Sequence, residues 1–271
     1  MKEELADLYH LPLGGIRYFE RTSSTMDEAS LWLEQGAADL ALVLANEQTA
    51  GRGRLGRKWY TPPNAALAFS LILKPSDNEQ LAHWMLFSGL AAVSICEVLE
   101  QNYDLQPQIK WPNDILLDGK KTAGILIESH WEGEKLTGIV IGVGINIAPP
   151  SVPPSIAVLF PATCLEDSLA LSPKRVTYKI DRFQLLAWVL ERLIHWRNLI
   201  HLPIFKQNWE ARLAYHHQEV QIFQDINASP APSPIYEGIL LGLNEDGSLR
   251  IQNNSQQIIH VNAGEIRLRV K

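Results

Sequence analysis

Cysteine is almost absent from this chain of 271 residues, which contains only Cys96 and Cys164. Two cysteines cannot build a disulfide framework or a cysteine-rich zinc site, and such low usage is typical of proteins in a reducing cytosol. No run of about 18 apolar residues occurs, so the sequence predicts no membrane-spanning helix. The polar start, Met1 to Glu4, leads into mixed sequence without the apolar segment of a secretory signal, so we expect a cytoplasmic protein.

An excess of positive charge is missing as well. The chain has 24 Lys and Arg against 30 Asp and Glu, which gives a net charge of −6 and argues against a general nucleic-acid binder. Apolar residues make up 46% and charged residues 20%, a balance that allows a sizeable buried core. Any local cluster of positive charge must therefore serve a specific ligand.

Hydrophobic periodicity divides the chain into a large α+β region and a smaller β region. Helices are predicted at residues 24–36, 79–101, 181–200 and 204–215. Strands are predicted at residues 40–45, 67–73, 109–111, 115–117, 124–128 and 137–147, and again at 219–223, 236–243, 249–252 and 258–261. We expect a catalytic domain over residues 1–215 and a C-terminal β domain over residues 216–271, with His216 and His217 at the junction.

The first predicted helix carries a start signal. Ser24 and Thr25 precede an acidic first turn, and Thr25 and Glu28 have the spacing of a capping box. This pattern predicts a helix that begins at the Ser-Thr pair and ends near Gly36.

A glycine- and arginine-rich loop, Gly51–Lys58, is the most basic segment of this acidic chain. Its glycines match G-x-G-x-x-G, but a dinucleotide-binding motif must open a helix, and the following residues 57–63 (RKWYTPP) are a poor helix start. A P-loop fits no better, because Arg57 occupies the lysine position and no Ser or Thr follows.

Two interpretations of this loop stay open: a solvated flexible segment, or a lid that binds an anion. Arginine binds phosphate and carboxylate bidentately, and glycine lets backbone N–H groups approach the same anion. Arg52, Arg54, Arg57 and Lys58 would repel one another unless an anion lay between them. We therefore expect a mobile loop that closes over a phosphate-containing ligand or an acyl phosphate.

Residues 110–128 (KWPNDILLDGKKTAGILIE) contain a predicted hairpin with a two-residue turn at Asp118-Gly119. This turn pairs Asp114 with Ala123. One face of the hairpin is then predicted to carry four side chains: Asp114, Leu116, Lys121 and Ala123.

Asp114 and Lys121 become diagonal neighbours in this hairpin. They could form a casual surface ion pair, or Asp114 could hold Mg²⁺ with a phosphate while Lys121 binds a substrate carboxylate. Lys120 is expected to face solvent. On the later apolar strand, Gly142 and Gly144 invite another backbone or a ligand to approach closely, while Asn146 could contact a ligand or simply cap the next turn.

Five segments together resemble the biotin–protein ligase family, and they occur in the family's order. They are Ser24-Thr25, residues 47–59 (EQTAGRGRLGRKW), residues 110–114 (KWPND), residues 121–128 (KTAGILIE) and residues 142–146 (GVGIN). The resemblance implies a mixed β-sheet with flanking helices, as in biotin and lipoyl ligases of the class II synthetase type. Gly238, Asp246-Gly247 and Gly264-Glu265 resemble the family's small SH3-like C-terminal barrel.

The resemblance also implies a two-step reaction. Biotin's carboxylate attacks the α-phosphate of ATP to give biotinyl-5′-AMP and pyrophosphate, and a lysine of an apo biotin carboxyl carrier protein then expels AMP. ATP and biotin are the implied substrates, Mg²⁺ is the implied metal, and a homodimer is conceivable, without nucleic-acid or membrane partners. Such chemistry needs positioned cations rather than a protein nucleophile.

Site residues are carried over from the family position by position. Biotin would contact Ser24, Thr25, Gln48, Arg52, Gly53, Arg54 and Lys121. ATP and the adenylate would contact Arg52, Arg54, Arg57, Trp59, Lys110, Asn113, Lys121 and Asn146, with Trp59 packing on the adenine. The catalytic candidates are Arg54, Lys121 and Asp114, the last as Mg²⁺ ligand, base or orienting group.

The sequence departs from the family pattern at Met26, where many members carry Asn, so one polar contact to biotin is lost or supplied elsewhere. The motifs begin near residue 23, which predicts the monofunctional class without a winged-helix DNA-binding domain. One rival is a lipoate–protein ligase or an octanoyltransferase, although a transferase would need a better nucleophile than Cys164. Another rival is a non-catalytic protein that binds nucleic-acid phosphates through the basic loop.

Overall fold

The computed structural model describes residues 5–75, 84–154, 160–171, 179–224 and 233–268. Its α-helices are α1 (Thr25–Glu34), α2 (Trp84–Tyr103), α3 (Leu165–Leu171), α4 (Arg182–Arg197) and α5 (Pro203–Ala211). None of the helices in these ranges is long and apolar enough to cross a membrane.

Seven strands form the larger, mixed sheet. They are β1 (Gly15–Thr22), β2 (Ala41–Gln48), β3 (Ala66–Leu73), β4 (Gln108–Lys110), β5 (Asp114–Leu117), β6 (Lys120–Glu132) and β7 (Lys135–Asn146), in the order β1-β2-β3-β7-β6-β5-β4. Only β1 and β2 run parallel within this sheet, and α1 provides the crossover that a parallel pair requires.

The two faces of this sheet are covered differently. On one face, alternate residues of β3 such as Phe69 and Leu71 join the main apolar core, to which α2 and α4 contribute. On the other face, Met26 and Leu33 of α1 lie over β7. A Cβ at Gly142 would overlap the sulphur of Met26, so the missing side chain is what lets α1 approach the sheet.

Five strands form a second, antiparallel sheet. They are β8 (Glu219–Phe223), β9 (Tyr236–Leu243), β10 (Leu249–Gln252), β11 (Ile258–Val261) and β12 (Glu265–Leu268), in the order β11-β10-β9-β8-β12. The indole Nε1 of Trp111 donates a hydrogen bond of 3.0 Å to the carbonyl of Gly247. Leu243 N donates to Glu210 Oε1 at 2.7 Å, so the turn after β9 is attached to the larger α+β part of the chain.

The α+β class and most predicted elements are confirmed, with three omissions and several different bounds; β6, for example, spans Lys120–Glu132 where a strand over 124–128 was predicted. The sequence patterns did not predict β1, α3 or β12. The helix predicted over 204–215 ends at Ala211, because the following residues turn to pair with β4, where Ile109 N donates to the carbonyl of Arg212. In the helix predicted over 79–101, residues 79–83 lie outside the described ranges.

The predicted capping box at α1 is wrong. Ser24 is the N-cap residue, and among the described atoms its side chain makes no capping hydrogen bond. Glu28 accepts a bond of 2.8 Å from the hydroxyl of Thr22 instead. The hydroxyl of Thr25 is directed to Gln48 on β2, because the sheet lies close enough to compete with the helix end.

The hairpin around Asp118-Gly119 forms as predicted, with both turn residues at positive φ. Its register differs: Ala123 pairs with Ile115 rather than with Asp114, since Thr122 is an extra residue in β6. The bulge moves Ala123 to the main core face, so its predicted place beside Asp114 is wrong. Lys121 sits at the bulge, where its N donates to the carbonyl of Pro161 at 2.8 Å.

Gly89→Ala tests how tightly α2 packs against α5, because a Cβ at Gly89 would overlap the ring of Trp209. In an uncrowded helix this change stabilises by roughly 1 kcal/mol, whereas overpacking a core costs roughly 1–3 kcal/mol. We therefore expect a lower midpoint of urea unfolding. The control is Ser94→Ala, a buried position on the same helix; a midpoint raised by Gly89→Ala would mean that Trp209 moves aside easily.

Candidate active site

A buried group of hydroxyl and amide side chains lies where the start of α1 meets β2 and β3. Thr25 donates to Gln48 Oε1 from its backbone N at 2.8 Å and from its hydroxyl at 3.1 Å. Ser70 donates to Thr25 Oγ1 at 2.9 Å, and Gln48 Nε2 donates to Thr61 Oγ1 at 2.9 Å. Ser24 is fully buried, and its Oγ has no hydrogen-bond partner among the described residues.

An unsatisfied buried hydroxyl costs about 1–3 kcal/mol, so such groups are rare unless a ligand or water completes them. Ser24 Oγ therefore marks this polar pocket as a place for a ligand with hydrogen-bonding groups. Ser24, Thr25 and Gln48 were grouped by the family resemblance, and the structure brings them together. Ser70 and Thr61 were not foreseen; the signal for Ser70 was a single polar residue within the apolar run 67–73.

The indole of Trp59 lies on the same face of the sheet as the polar pocket, over a part of that face where glycines carry no side chains. Gly124 of β6 pairs with Gly144 of β7. A Cβ at Gly144 would overlap the indole, and one at Gly124 would come within 3.0 Å of it. Lys121 Nζ is 5.4 Å from the ring centroid. The indole N–H is buried and meets no acceptor within the described ranges, so this platform also suits a polar, flat ligand.

Lys121 and Asp114 form an ion pair beside this platform, with 2.6 Å between Nζ and Oδ1. The meeting of these two side chains was predicted from the hairpin, and it is retained despite the bulge. Lys110 lies opposite Asp114 in the β4–β5 pair. Asp114 is therefore a carboxylate among cations, which orients the ammonium group of Lys121.

The glycine- and arginine-rich loop is folded back on itself. Gly53 N donates to the carbonyl of Arg57 at 2.7 Å, and Trp59 N donates to the carbonyl of Gly51 at 2.8 Å. Residues Arg54–Gly56 form a single 3-10 turn, and an extended backbone follows at Arg57. The glycines do not open an α-helix, which confirms that the dinucleotide-binding interpretation fails.

The loop arginines contact three different parts of the molecule. Arg52 pairs bidentately with Glu128 at 2.6 and 2.9 Å and also reaches Asp27 at 2.9 Å. Arg57 pairs with Glu265 of β12 at 2.6 Å. These acidic partners were not foreseen, because they lie far from the loop in sequence.

Arg54 is the loop arginine that reaches the neighbourhood of the Asp114–Lys121 pair. Its Nη1 donates to Oδ1 of Asn113, the residue before Asp114, at 3.2 Å. Burial lowers the pKa of the Arg54 guanidinium, and the charges of Glu265 and Asp114 oppose that shift. A cation held in this partly buried place can stabilise negative charge that develops next to Lys121.

Three polar residues assigned to the nucleotide side have partners within the protein. Lys110 is buried, and its Nζ lies 3.2 Å from the ring centroid of Phe160. Asn113 Nδ2 donates to the carbonyl of Ile125 at 2.8 Å, and Asn146 Nδ2 donates to the carbonyl of Thr163 at 3.0 Å. Asn146 thus braces a later segment rather than capping the next turn, and its contact with a nucleotide stays a prediction.

The cysteine side chains are unsuited to nucleophilic catalysis. Cys96 and Cys164 are both buried. Burial raises the pKa of the Cys164 thiol to about 11, which keeps it protonated near neutral pH. His216 and His217 stack on each other at 3.9 Å between ring centroids, at the entrance to the second sheet.

Comparison with known proteins gives two family matches in chain order. Residues 18–146 match the biotin/lipoate A/B protein ligase family, and residues 222–269 match the biotin protein ligase C-terminal domain. A biotin protein ligase from Aquifex aeolicus, solved in complex with biotin and ATP, superposes with a TM-score of 0.75 at 26% identity. That match covers 95% of this chain and 99% of the other. This chain belongs to the biotin protein ligase family.

Two curated relatives show how the similarity is distributed. A bifunctional ligase/repressor from Bacillus subtilis is 40% identical over 130 residues, which are 48% of this chain and 39% of that protein. The matched part thus spans less than half of that relative. A biotin–[acetyl-CoA-carboxylase] ligase from Mycobacterium tuberculosis is 29% identical, over 91% of this chain and 86% of the relative.

Met26, the departure from the usual biotin protein ligase pattern, is buried between α1 and the sheet. Its sulphur lies against Gly142 and its side chain belongs to the small apolar cluster under α1. Met26 therefore contributes packing at a position where an asparagine would offer an amide.

The pH dependence of stability tests the surroundings of Lys110. Burial lowers the pKa of this amine to about 8, with Asp114 opposing the shift, whereas an unfolded lysine titrates at about 10.4. Between these values the unfolded chain binds more protons at this amine, so the contribution of Lys110 to the free energy of unfolding should rise with pH from about 8 to about 10. Relative to Lys110→Met, the wild type should gain roughly 2–3 kcal/mol over this interval.

Denaturant unfolding at several pH values measures this gain. Lys120→Met removes an exposed lysine of the adjacent hairpin and should keep the wild-type profile. A difference between wild type and Lys110→Met that stays constant with pH would show that Lys110 titrates normally.

Proposed function

We propose that this chain is an ATP-dependent biotin–protein ligase, which forms biotinyl-5′-AMP and transfers biotin to a lysine of a biotin carboxyl carrier protein. The observation that carries the proposal is the arrangement on one sheet face. A polar pocket with the unpartnered hydroxyl of Ser24 lies on the same face as the Asp114–Lys121 pair, which Arg54 approaches. The Aquifex aeolicus relative was solved with biotin and ATP, which supports the same two substrates here.

Biotin would enter with its ureido ring in the polar pocket of Ser24, Thr25 and Gln48. Its valeryl chain would run along the glycine-lined face, and its carboxylate would end at Lys121. Trp59 now covers Gly124 and Gly144, so the ring must shift when the ligand binds, and it could then stack on the adenine. The loop from Arg52 to Arg57, including Gly53, would close over the reacting groups.

In the first step, a carboxylate oxygen of biotin attacks the α-phosphorus of ATP and pyrophosphate leaves. Negative charge spreads over the phosphate oxygens in the transition state. Lys121 would neutralise this charge together with Arg54, and Asp114 would hold the lysine in position. Arg57, Lys110, Asn113 and Asn146 would border the nucleotide, directly or by bracing the segments that do.

In the second step, the ε-amine of the carrier lysine attacks the acyl carbon, the anhydride C–O bond breaks and AMP leaves. The amine must lose a proton, and Asp114, whose Oδ1 lies 2.6 Å from Lys121 Nζ, is the carboxylate proposed to accept it. No protein nucleophile is required, which agrees with the buried state of both cysteines.

Magnesium would enter as a complex with the phosphates of ATP. Within the described ranges, no group of three or more His, Cys, Asp or Glu side chains is arranged to hold a metal ion. Asp114 already pairs with Lys121 through Oδ1, so its geometry favours an orienting role over that of the main metal ligand.

The wider assignments belong to the same proposal. Residues 1–215 would form the catalytic domain and residues 216–271 the C-terminal domain. The apo carrier protein would be the macromolecular partner in the cytoplasm, with no role at an operator.

A labelling assay tests the proposed function. The protein is incubated with ATP, an apo carrier domain, and labelled biotin or labelled lipoate; we expect ATP-dependent label from biotin alone. A carrier with Arg in place of its acceptor lysine is the control and should stay unlabelled. Labelling from lipoate alone would overturn the proposal in favour of a lipoate ligase.

Lys121→Ala should suppress formation of the adenylate, since it removes the cation that meets both the carboxylate and the phosphate. We expect biotin-dependent pyrophosphate release to fall by about 10²–10³-fold, the effect typical of one lost transition-state contact. Lys120→Ala, the exposed neighbour in the same hairpin, is the matched control and should keep its rate. Equal rates for the two variants would remove Lys121 from the adenylation step.

A further inference from the structure

Ser70 is a polar residue buried in the middle of an otherwise apolar strand. It lies in β3 between Phe69 and Leu71 and is fully buried. A hydroxyl in such a place is unfavourable unless it is hydrogen-bonded. Ser70 meets this need through Thr25, to which its Oγ donates at 2.9 Å.

The hydrogen bonds that start at Ser70 run in one direction. Because Ser70 gives its only hydroxyl proton to Thr25 Oγ1, the proton of Thr25 is left for Gln48 Oε1, at 3.1 Å. The backbone N of Thr25 donates to the same oxygen at 2.8 Å. At the far end, Gln48 Nε2 donates to Thr61 Oγ1 at 2.9 Å. The amide of Gln48 is therefore held with its oxygen toward Thr25 and its nitrogen toward Thr61.

This fixed direction determines what the pocket can offer to a ligand. A cyclic urea presents one carbonyl acceptor between two N–H donors. Three groups stay available for it: the hydroxyl of Ser24, the second lone pair of Thr25 Oγ1, and the second N–H of Gln48. If Thr25 rotated or the Gln48 amide flipped, an N–H of the ligand would face an N–H or O–H of the protein.

We propose that Ser70 is a positioning residue that fixes the donor–acceptor pattern of Thr25 and Gln48 and so makes the pocket selective for the cyclic urea of biotin. This inference rests on the proposed function, because it takes biotin as the ligand. Ser70 acts through Thr25 and does not itself touch the ligand. Thr61 supports the same arrangement from the other end.

Steady-state kinetics of Ser70→Ala test the proposal, with biotin-dependent pyrophosphate release as the readout. We expect the KM for biotin to rise about five- to tenfold, the range of one lost buried hydrogen bond, while kcat and the KM for ATP stay unchanged. Thr61→Val should also raise the KM for biotin. An unchanged KM for biotin in both variants would overturn the proposal.

Ser94→Ala is the matched control, since Ser94 is also fully buried and donates to a backbone carbonyl inside α2. It should leave the KM for biotin unchanged. If Ser94→Ala raised this KM as much as Ser70→Ala, the effect would come from general loosening of the core, and the proposal would fail.

A double-mutant comparison separates positioning from packing. Thr25→Val removes the hydroxyl through which Ser70 acts, so adding Ser70→Ala to it should raise the KM for biotin no further. If Ser70→Ala raised the KM for biotin by the same factor with and without Thr25→Val, Ser70 would act independently of Thr25, and this would contradict the proposal.

Selectivity gives a second readout with 2-iminobiotin, which carries N–H in place of the ureido oxygen. The ratio of the KM for 2-iminobiotin to the KM for biotin should be smaller in Ser70→Ala than in the wild type. An unchanged ratio would contradict the proposal. A wild-type protein without any biotin-dependent pyrophosphate release would instead refute the proposed function, so the two failures are distinguishable.

Discussion

Helix α1 and Trp59 can lie close to one face of the large sheet because β6 and β7 have glycines at the positions beneath them. Gly138 and Gly142 leave room for Leu33 and Met26 of α1, and Gly124 and Gly144 leave room for Trp59. Because α1 lies so near the sheet, the hydroxyl of Thr25 at its start reaches Gln48 and is reached by Ser70. The contacts that Thr25 makes in the polar pocket follow from this approach.

The arginine-rich loop distributes its charge over acidic partners in three regions. Arg52 and its partner Asp27 are both more than a third exposed, and ion pairs of this kind contribute only about 0–1 kcal/mol each. A ligand phosphate can therefore compete for Arg52 at a small free-energy cost. Arg57 pairs with the buried carboxylate of Glu265, which would need another partner if the arginine moved. Without a ligand, such a loop can be folded by its own ion pairs, and it can rearrange when a ligand binds. This is the behaviour expected of a lid. The contact of Arg57 with Glu265 also means that the second sheet takes part in positioning the loop.

The charges around Asp114 explain how a carboxylate can lie within the site that we propose for the reacting anions. Lys121 pairs with it directly, Lys110 lies opposite it in the neighbouring strand, and Arg54 binds the residue before it. The carboxylate keeps these cations apart and oriented, while the local balance stays positive. An acyl phosphate, which carries its charge on phosphate oxygens, is suited to such surroundings.

The sequence by itself determined most helices and strands, the two-residue turn at Asp118-Gly119 and the meeting of Asp114 with Lys121, because these depend on local periodicity and spacing. It did not reveal β1, a half-exposed edge strand, or the bulge at Thr122, which occurs where the segment after Pro161 pairs with Lys121. Nor did it reveal the partners of Arg52 and Arg57 or the role of Ser70. Only the tertiary structure decided these contacts, because each joins side chains from distant strands, and a hydrogen bond or ion pair depends on distances that sequence spacing does not fix.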